Sequence, residues 1–301
     1  MKPKYLRVRL LSACPLSCSF CHREGASKEI SSMEQLSPSV LVQHIQDCVH
    51  IGIRKVKFLG GEPLLYKKLP YVVSKLRQQN PDLDISIITS GSLPVARLKS
   101  LFDAGLSRAN LSIHGWVFEQ FHAHGGNKKQ FQYRFENLQY LIRARYPTKI
   151  NYVLSNAECH DDLRSFLHAM APLPVVVSVL NDLNKPQINA STIADVLHQL
   201  CGPWEEIRTD HDPYSLSTTQ LIWTSGLVVE LKTKVLNQVQ PWTSCKTCPQ
   251  QQRCREGIFA IRLTEQGSIQ LCMDRPDLSL PLSKNNNPLK IHNFLMQNQA
   301  A

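Results

Sequence analysis

The chain has 301 residues, of which 43% are hydrophobic and 19% charged, enough for one large or two modest domains with a real core. No apolar run approaches the ~18 residues of a membrane span, and Met1-Lys2-Pro3-Lys4 lacks the apolar segment and cleavage site of a signal peptide. A net charge of +10, spread without a dense basic block, favours a phosphorylated small molecule or an acidic redox partner over RNA. With ten cysteines and no export signal, the expectation is a cytoplasmic protein with reduced, metal-binding thiols rather than disulfides.

From Tyr5 to about Leu200, short β-rich runs alternate with longer amphipathic stretches. The strands read as Tyr5–Leu11, Lys55–Leu59, Asp84–Thr89, Arg108–Ile113, Lys149–Leu154 and Val175–Leu180. Helices read as Pro38–Ile51, Lys68–Gln79, Pro94–Ala104, Phe131–Arg145, Asp161–Met170 and Ser191–Leu200. Ser37 before Pro38 is a helix start, and Gly52 and Gly105 mark helix ends. Six β/α units in series imply a parallel sheet with right-handed crossovers. Ligands of such sheets bind beyond the carboxyl ends of the strands.

Two motifs fall at those ends. Cys14, Cys18 and Cys21 have C-x3-C-x2-C spacing after the first strand. Three thiolates so close can hold three corners of a 4Fe–4S cube and leave one iron open. A structural zinc is the competing reading, but zinc prefers four ligands in paired C-x2-C units, and His22 is badly placed to be the fourth. After the second strand comes Gly60-Gly61-Glu62-Pro63. Its glycines permit close backbone approach, and its proline fixes the exit from the strand.

Beyond Gly202-Pro203 the pattern changes. Leu221–Thr224 with Leu227–Leu231, and Ile258–Thr264 with Ser268–Cys272, read as two β-hairpins. Cys245, Cys248, Cys254 and Cys272 form a second group, able to hold either a four-thiolate zinc or a second cluster. The tail beyond Asp274 is polar and expected to be loosely ordered. The His122-Ala123-His124-Gly125-Gly126 segment reads as a flexible lid or surface loop.

The cysteine triplet followed by Gly60-Gly61-Glu62-Pro63 resembles the radical S-adenosylmethionine (SAM) superfamily. That resemblance implies an α/β fold, a partial (β/α)6 TIM-type barrel over residues 1–204. Residues 205–301 are then a small, β-hairpin-containing, cluster-binding extension of the twitch or SPASM type. It implies SAM and two 4Fe–4S clusters, one binding SAM through Cys14, Cys18 and Cys21 and one auxiliary on Cys245, Cys248, Cys254 and Cys272. SAM contacts are expected from Phe20, Gly60, Gly61, Glu62, Pro63, Thr89, Ser90, Ser112, His114, Lys149 and Asn151.

Within the superfamily, Leu6-Arg7-Val8, Phe20-Cys21-His22-Arg23-Glu24-Gly25, Lys55-Val56-Lys57 and Arg262-Leu263-Thr264 resemble the GTP 3′,8-cyclase family. Four auxiliary cysteines instead of three, Ala260-Ile261-Arg262 in place of an R-x-R pair, and the ending Gln299-Ala300-Ala301 depart from it. These departures imply a relative recruited to another substrate. The expectation is therefore an enzyme that reductively cleaves SAM to a 5′-deoxyadenosyl radical and abstracts hydrogen from a small anionic molecule held by Arg7, Lys55 and Arg262. The residue that completes the chemistry is not named by the sequence. A flavodoxin or ferredoxin-type protein is the expected electron donor. The alternatives are a maturase of a ribosomally made peptide and a non-catalytic metal-binding scaffold. Only about a dozen residues precede Cys14, which tilts the expectation from peptide to small molecule.

Overall fold

The computed structural model describes residues 3, 5–22, 36–155, 161–183, 185, 190–210, 218–232, 241–251, 254, 260–284 and 287–299. Strands β1 (Tyr5–Arg9), β2 (Lys55–Leu59), β3 (Asp84–Thr89), β4 (Arg108–Ser112), β5 (Thr148–Leu154) and β6 (Val176–Asn181) lie side by side in chain order, all parallel. Between them run α1 (Pro38–His50), α2 (Leu69–Gln79), α3 (Val95–Asp103), α4 (Phe118–Ala123), α5 (Lys128–Arg143) and α6 (Asp161–Met170), with α7 (Ala190–Cys201) after β6. Ser37 caps α1 as its sequence implies, its hydroxyl accepting from the Val40 amide.

The rest of the chain extends both edges of this sheet. β7 (Glu206–Asp210), β8 (Thr218–Ile222) and β9 (Val228–Lys232) form an antiparallel meander docked through β9 onto β6. β10 (Ile261–Leu263) docks parallel to β1, followed by antiparallel β11 (Ser268–Cys272) and β12 (Arg275–Pro281). The twelve strands run in one open order, from β12 at one edge to β7 at the other. This is the partial barrel expected, and its sheet is not closed. No helix among the described residues is long and apolar enough to cross a membrane.

The tail past Asp274 departs from expectation. It holds β12 and a C-terminal helix, α8 (Pro288–Asn298). Asn287 caps α8 through Leu289, Pro288 starts it, and Ile291 and Leu295 bury one face in the core with α1 and α2. The asparagine run that reads as disorder is in part a helix start. β12 was obscured by its prolines, Pro276 and Pro281, which an edge strand tolerates. The short helix α4 and the edge strand β7 also lie outside the expected elements.

Each barrel strand alternates two kinds of residue. Leu6, Val8, Val56, Phe58, Ile85 and Ile87 are buried completely, in a core shared with the helices. The opposite face is polar yet also buried, with Arg7, Arg9, Lys57, Ser86 and Asn110 all at most 8% exposed. Parallel strands covered on both faces are usually apolar throughout. A dry polar face marks an interior built to receive a ligand.

Candidate active site

The cysteine loop leaves β1 at Leu10 and is fixed to the exit of β2 by backbone bonds. The amides of Gly61 and Glu62 donate to the carbonyls of Leu11 and Ala13 at 2.7 and 2.8 Å. Contact this close explains the two glycines. A Cβ on Gly61 would stand 2.0 Å from the Ala13 carbonyl oxygen, and one on Gly60 2.5 Å from that of Leu11. Gly60 also has a φ of 140°, open only to glycine. The close approach expected of this turn is thus made to the cysteine loop.

Glu62 is buried at 1% exposure. Its carboxylate accepts from Thr89 Oγ1 at 2.6 Å, from the Ser90 hydroxyl and amide at 2.6 and 2.9 Å, and from the Leu64 amide at 3.1 Å. Burial raises its pKa, and these four donors oppose that shift by holding the anion. The side chain therefore locks the β2 exit to the β3 exit. Pro63 opens a buried 3-10 turn just beyond it.

The second half of the cysteine loop leans on β4 and α4. The ring of buried Phe20 meets His114 edge-on at 4.6 Å and His124 at 5.2 Å. The Ser17 amide donates to the His124 carbonyl at 2.8 Å, and a Cβ on Gly125 would meet the Ser17 hydroxyl at 2.7 Å. The segment expected as a lid or surface loop is thus a buttress of the cysteine loop. His114 Nδ1 accepts from the Val153 amide at 3.0 Å, which leaves Nε2 with the proton. Desolvation, then the charges of His124 and Arg134, push its pKa down to about 3, so the ring stays neutral. Ser112 ends β4 opposite Asn151 on β5, whose carbonyl accepts from the Ile113 amide.

Lys149 is placed differently from expectation. Its ammonium is held by both oxygens of Glu230 on β9, at 2.6 and 2.7 Å, so its charge is already paired. The sequence alone could not show this, because β9 is eighty residues away and joins the sheet only through β6.

Cys14 and Cys21 are exposed and Cys18 half-buried, with the Cys21 amide turned back onto the Cys18 carbonyl at 3.1 Å. Desolvation first, with neighbouring thiols adding, pushes the pKa of Cys14 up to about 11 and that of Cys18 to about 12. Thiolates at Cys14 and Cys18 are thus costly unless a strongly positive group takes the protons' place. Cluster iron does that, and the donor set fits it.

The C-terminal group repeats the turn, with the Cys248 amide on the Cys245 carbonyl at 3.3 Å. The buried indole of Trp242 donates to the Leu271 carbonyl and seats this segment on β11. Arg275 lies opposite Cys272 in register and donates to Cys248 Sγ at 3.8 Å. The Cys254 amide closes a further turn onto Gln251. Among the described residues, no three Cys, His, Asp or Glu side chains are gathered closely enough to hold a metal ion, here or at Cys14, Cys18 and Cys21.

Of the three expected anion contacts, Arg7 and Arg262 lie in register on neighbouring strands, 8% and 4% exposed. Lys55 does not join them. It sits exposed at the start of β2, opposite Tyr5, while Lys57 one step along is 8% exposed and directly opposite Arg7. Strand parity lets either lysine share the face of Arg7, and only register selects Lys57. A second missed residue is Glu265, in the β10–β11 turn. It pairs with Arg9 at the end of β1 and accepts from Ser12 Oγ at 2.9 Å, fastening the C-terminal hairpin to the cysteine loop.

The comparisons agree with this geometry. Residues 8–170 match the family model described as "Radical SAM superfamily". A protein of Metallosphaera sedula named "Probable GTP 3′,8-cyclase" is 29% identical over 90% of this chain and 81% of its own length. Its namesake in Methanosarcina mazei is 25% identical over 96% of this chain and 83% of its own. Among solved structures, anSMEcpe with bound AdoMet superposes with a TM-score of 0.65 at 16% identity, over 98% of this chain and 78% of that one. Streptococcus suis SuiB bound to S-adenosylmethionine gives 0.60 at 14% identity over 95% of this chain, which spans 64% of the SuiB chain. With the family model covering more than half of its length and the motif cysteines at the mouth of a partial barrel, the chain belongs to the radical SAM superfamily, enzymes whose cofactors are S-adenosylmethionine and 4Fe–4S clusters.

Proposed function

We propose that this enzyme acts on a small anionic substrate, nucleotide-like or a natural-product intermediate, bound on the polar inner face of the barrel. One observation carries the reading. Arg262, Arg7 and Lys57 stand in register on β10, β1 and β2, all buried, so three cationic side chains share one dry wall. Burial, then the charges of Arg108, Arg7 and Lys149, hold the Lys57 pKa well below the lysine range. An anion arriving there relieves that mutual repulsion. The relatives named as GTP cyclases support a small molecule of this charge.

Cys14, Cys18 and Cys21 would hold the SAM-binding cluster, which with SAM bound would supply a 5′-deoxyadenosyl radical for hydrogen abstraction. The chain's own part is positional. Gly60, Gly61 and Glu62 fix the cysteine loop, Phe20 and His114 wall it, Thr89, Ser90, Ser112 and Asn151 offer polar contacts to SAM, and the cation row orients the substrate. Cys245, Cys248, Cys254 and Cys272 would hold the auxiliary cluster, and four thiolates would saturate it as an electron relay or a structural plug. The division at residue 204 is supported by sheet order, since β7–β12 only extend the two edges of the β1–β6 barrel. The net charge of +10 suits an acidic flavodoxin or ferredoxin as donor, and reduced thiols suit the cytoplasm.

The test is deuterium transfer. Reduced enzyme given SAM and deuterated phosphorylated nucleosides is expected to return deuterium in 5′-deoxyadenosine. Transfer from a deuterated peptide, and from no anionic small molecule, would replace this reading with peptide maturation.

A further inference from the structure

Arg275 opens β12 and stands opposite Cys272, the last residue of β11, in the pairing of those two strands. Asp277 lies two residues on, along the same face of the strand. Its carboxylate takes Arg275 Nε and Nη2 as a bidentate pair at 2.8 and 2.6 Å, which fixes the plane of the guanidinium. The remaining nitrogen, Nη1, donates to Cys248 Sγ at 3.8 Å. One cationic group is thus set against two of the C-terminal cysteines, beside Cys272 in the sheet and bonded to the sulfur of Cys248.

A neutral thiol is a weak acceptor and gives a guanidinium little. The bond gains its strength when Cys248 is a thiolate, the form that ligates iron. The donor set fits a 4Fe–4S group, since Cys245, Cys248, Cys254 and Cys272 are all thiols and such clusters are held by four. With every iron taken by a thiolate, what the protein still controls is how readily the cluster accepts an electron. Reduction moves one electron from the flavodoxin or ferredoxin-type donor into the iron–sulfur core and breaks no bond. An N–H bond to a ligand sulfur and a nearby positive charge both favour the more negative, reduced state. Asp277 opposes the charge but not the hydrogen bond. Its side chain is 58% exposed against 24% for Arg275, so solvent screens the carboxylate more than the guanidinium.

We propose that Arg275 sets the reduction potential of the auxiliary cluster, holding it above the value that the four thiolates alone would give. The assignment rests on the auxiliary-cluster reading of the C-terminal cysteines and makes that cluster the electron relay rather than the structural plug. Arg275 ligates nothing. It is a positioning residue that acts through Cys248.

The experiment is a potentiometric titration, followed by electron paramagnetic resonance, of the full-length chain with Cys14, Cys18 and Cys21 replaced by alanine, so that only the auxiliary cluster contributes. Arg275→Met in that background is expected to disfavour reduction about tenfold, the size of one lost charge-assisted bond, which for a one-electron couple lowers the midpoint by about 59 mV. Arg275→Lys keeps the charge and should recover part of the shift. Asp277→Asn removes the opposing charge and should move the midpoint the other way, by less. Iron content is measured on every variant, and the lysine and asparagine variants carry the comparison should Arg275→Met not keep its iron. An unchanged midpoint in Arg275→Met overturns the proposal. So do shifts of the same sign in Arg275→Met and Asp277→Asn, which would assign the pair to holding the β11–β12 hairpin. If the triple-alanine chain takes up zinc or no iron, it is the auxiliary-cluster reading that fails instead.

Discussion

Replacing Cys14, Cys18 and Cys21 together by alanine is expected to halve the iron content of the anaerobically reconstituted protein, from about eight atoms to about four, and to abolish SAM cleavage. The first group follows β1, while Cys245, Cys248 and Cys254 precede β10 and Cys272 ends β11, so the two groups share no residue and loss of one removes no ligand of the other. No core residue changes, because Cys14 and Cys21 are exposed and Cys18 only half-buried. The thermal midpoint of the metal-free protein should therefore hardly move. Iron and zinc are counted by elemental analysis, and 5′-deoxyadenosine by chromatography. A variant still forming 5′-deoxyadenosine would show that the triplet is not the SAM-binding site. A wild-type protein with about four irons and one zinc would overturn only the auxiliary cluster on Cys245, Cys248, Cys254 and Cys272.

The second large effect is expected on substrate. Alanine at Arg7, Lys57 or Arg262 removes one cation from a buried row, and each charge-assisted contact contributes on the order of 1.5–3 kcal/mol. Losing one should lower kcat/KM roughly tenfold to a hundredfold. Cleavage of SAM without substrate should stay near the wild-type rate, because none of the three is among the residues that fix the cysteine loop. Lys55→Ala, at the exposed start of β2, serves as the control and should change neither. SAM binding, uncoupled cleavage and turnover are compared side by side. Equal losses in all three for the row variants would assign these cations to holding the barrel together.

The barrel was legible because its strands and helices carry two clear periods, and punctuation such as Ser37-Pro38 and Gly52 agrees with them. The site was legible at Cys14, Cys18, Cys21 and Gly60–Pro63, where spacing along the chain is itself the geometry. What stayed hidden depends on pairing between distant segments. Lys57 rather than Lys55 faces Arg7 because of strand register. Lys149 is taken by Glu230, and Arg9 by Glu265, across gaps that no local pattern spans. The tail was misjudged for the opposite reason, since polar composition outweighed the Asn287-Pro288 start and the Ile291, Leu295 pair that seat α8 on the core.

The central claim is that Cys14, Cys18 and Cys21, clamped by Gly60–Glu62 and walled by Phe20 and His114, hold a cluster that turns over SAM. The direct measurement is the product formed when iron-replete protein is reduced anaerobically in the presence of SAM. The account predicts 5′-deoxyadenosine and methionine in equal amounts, whether or not the natural substrate is present. Iron-replete, reduced protein that returns SAM intact would contradict it.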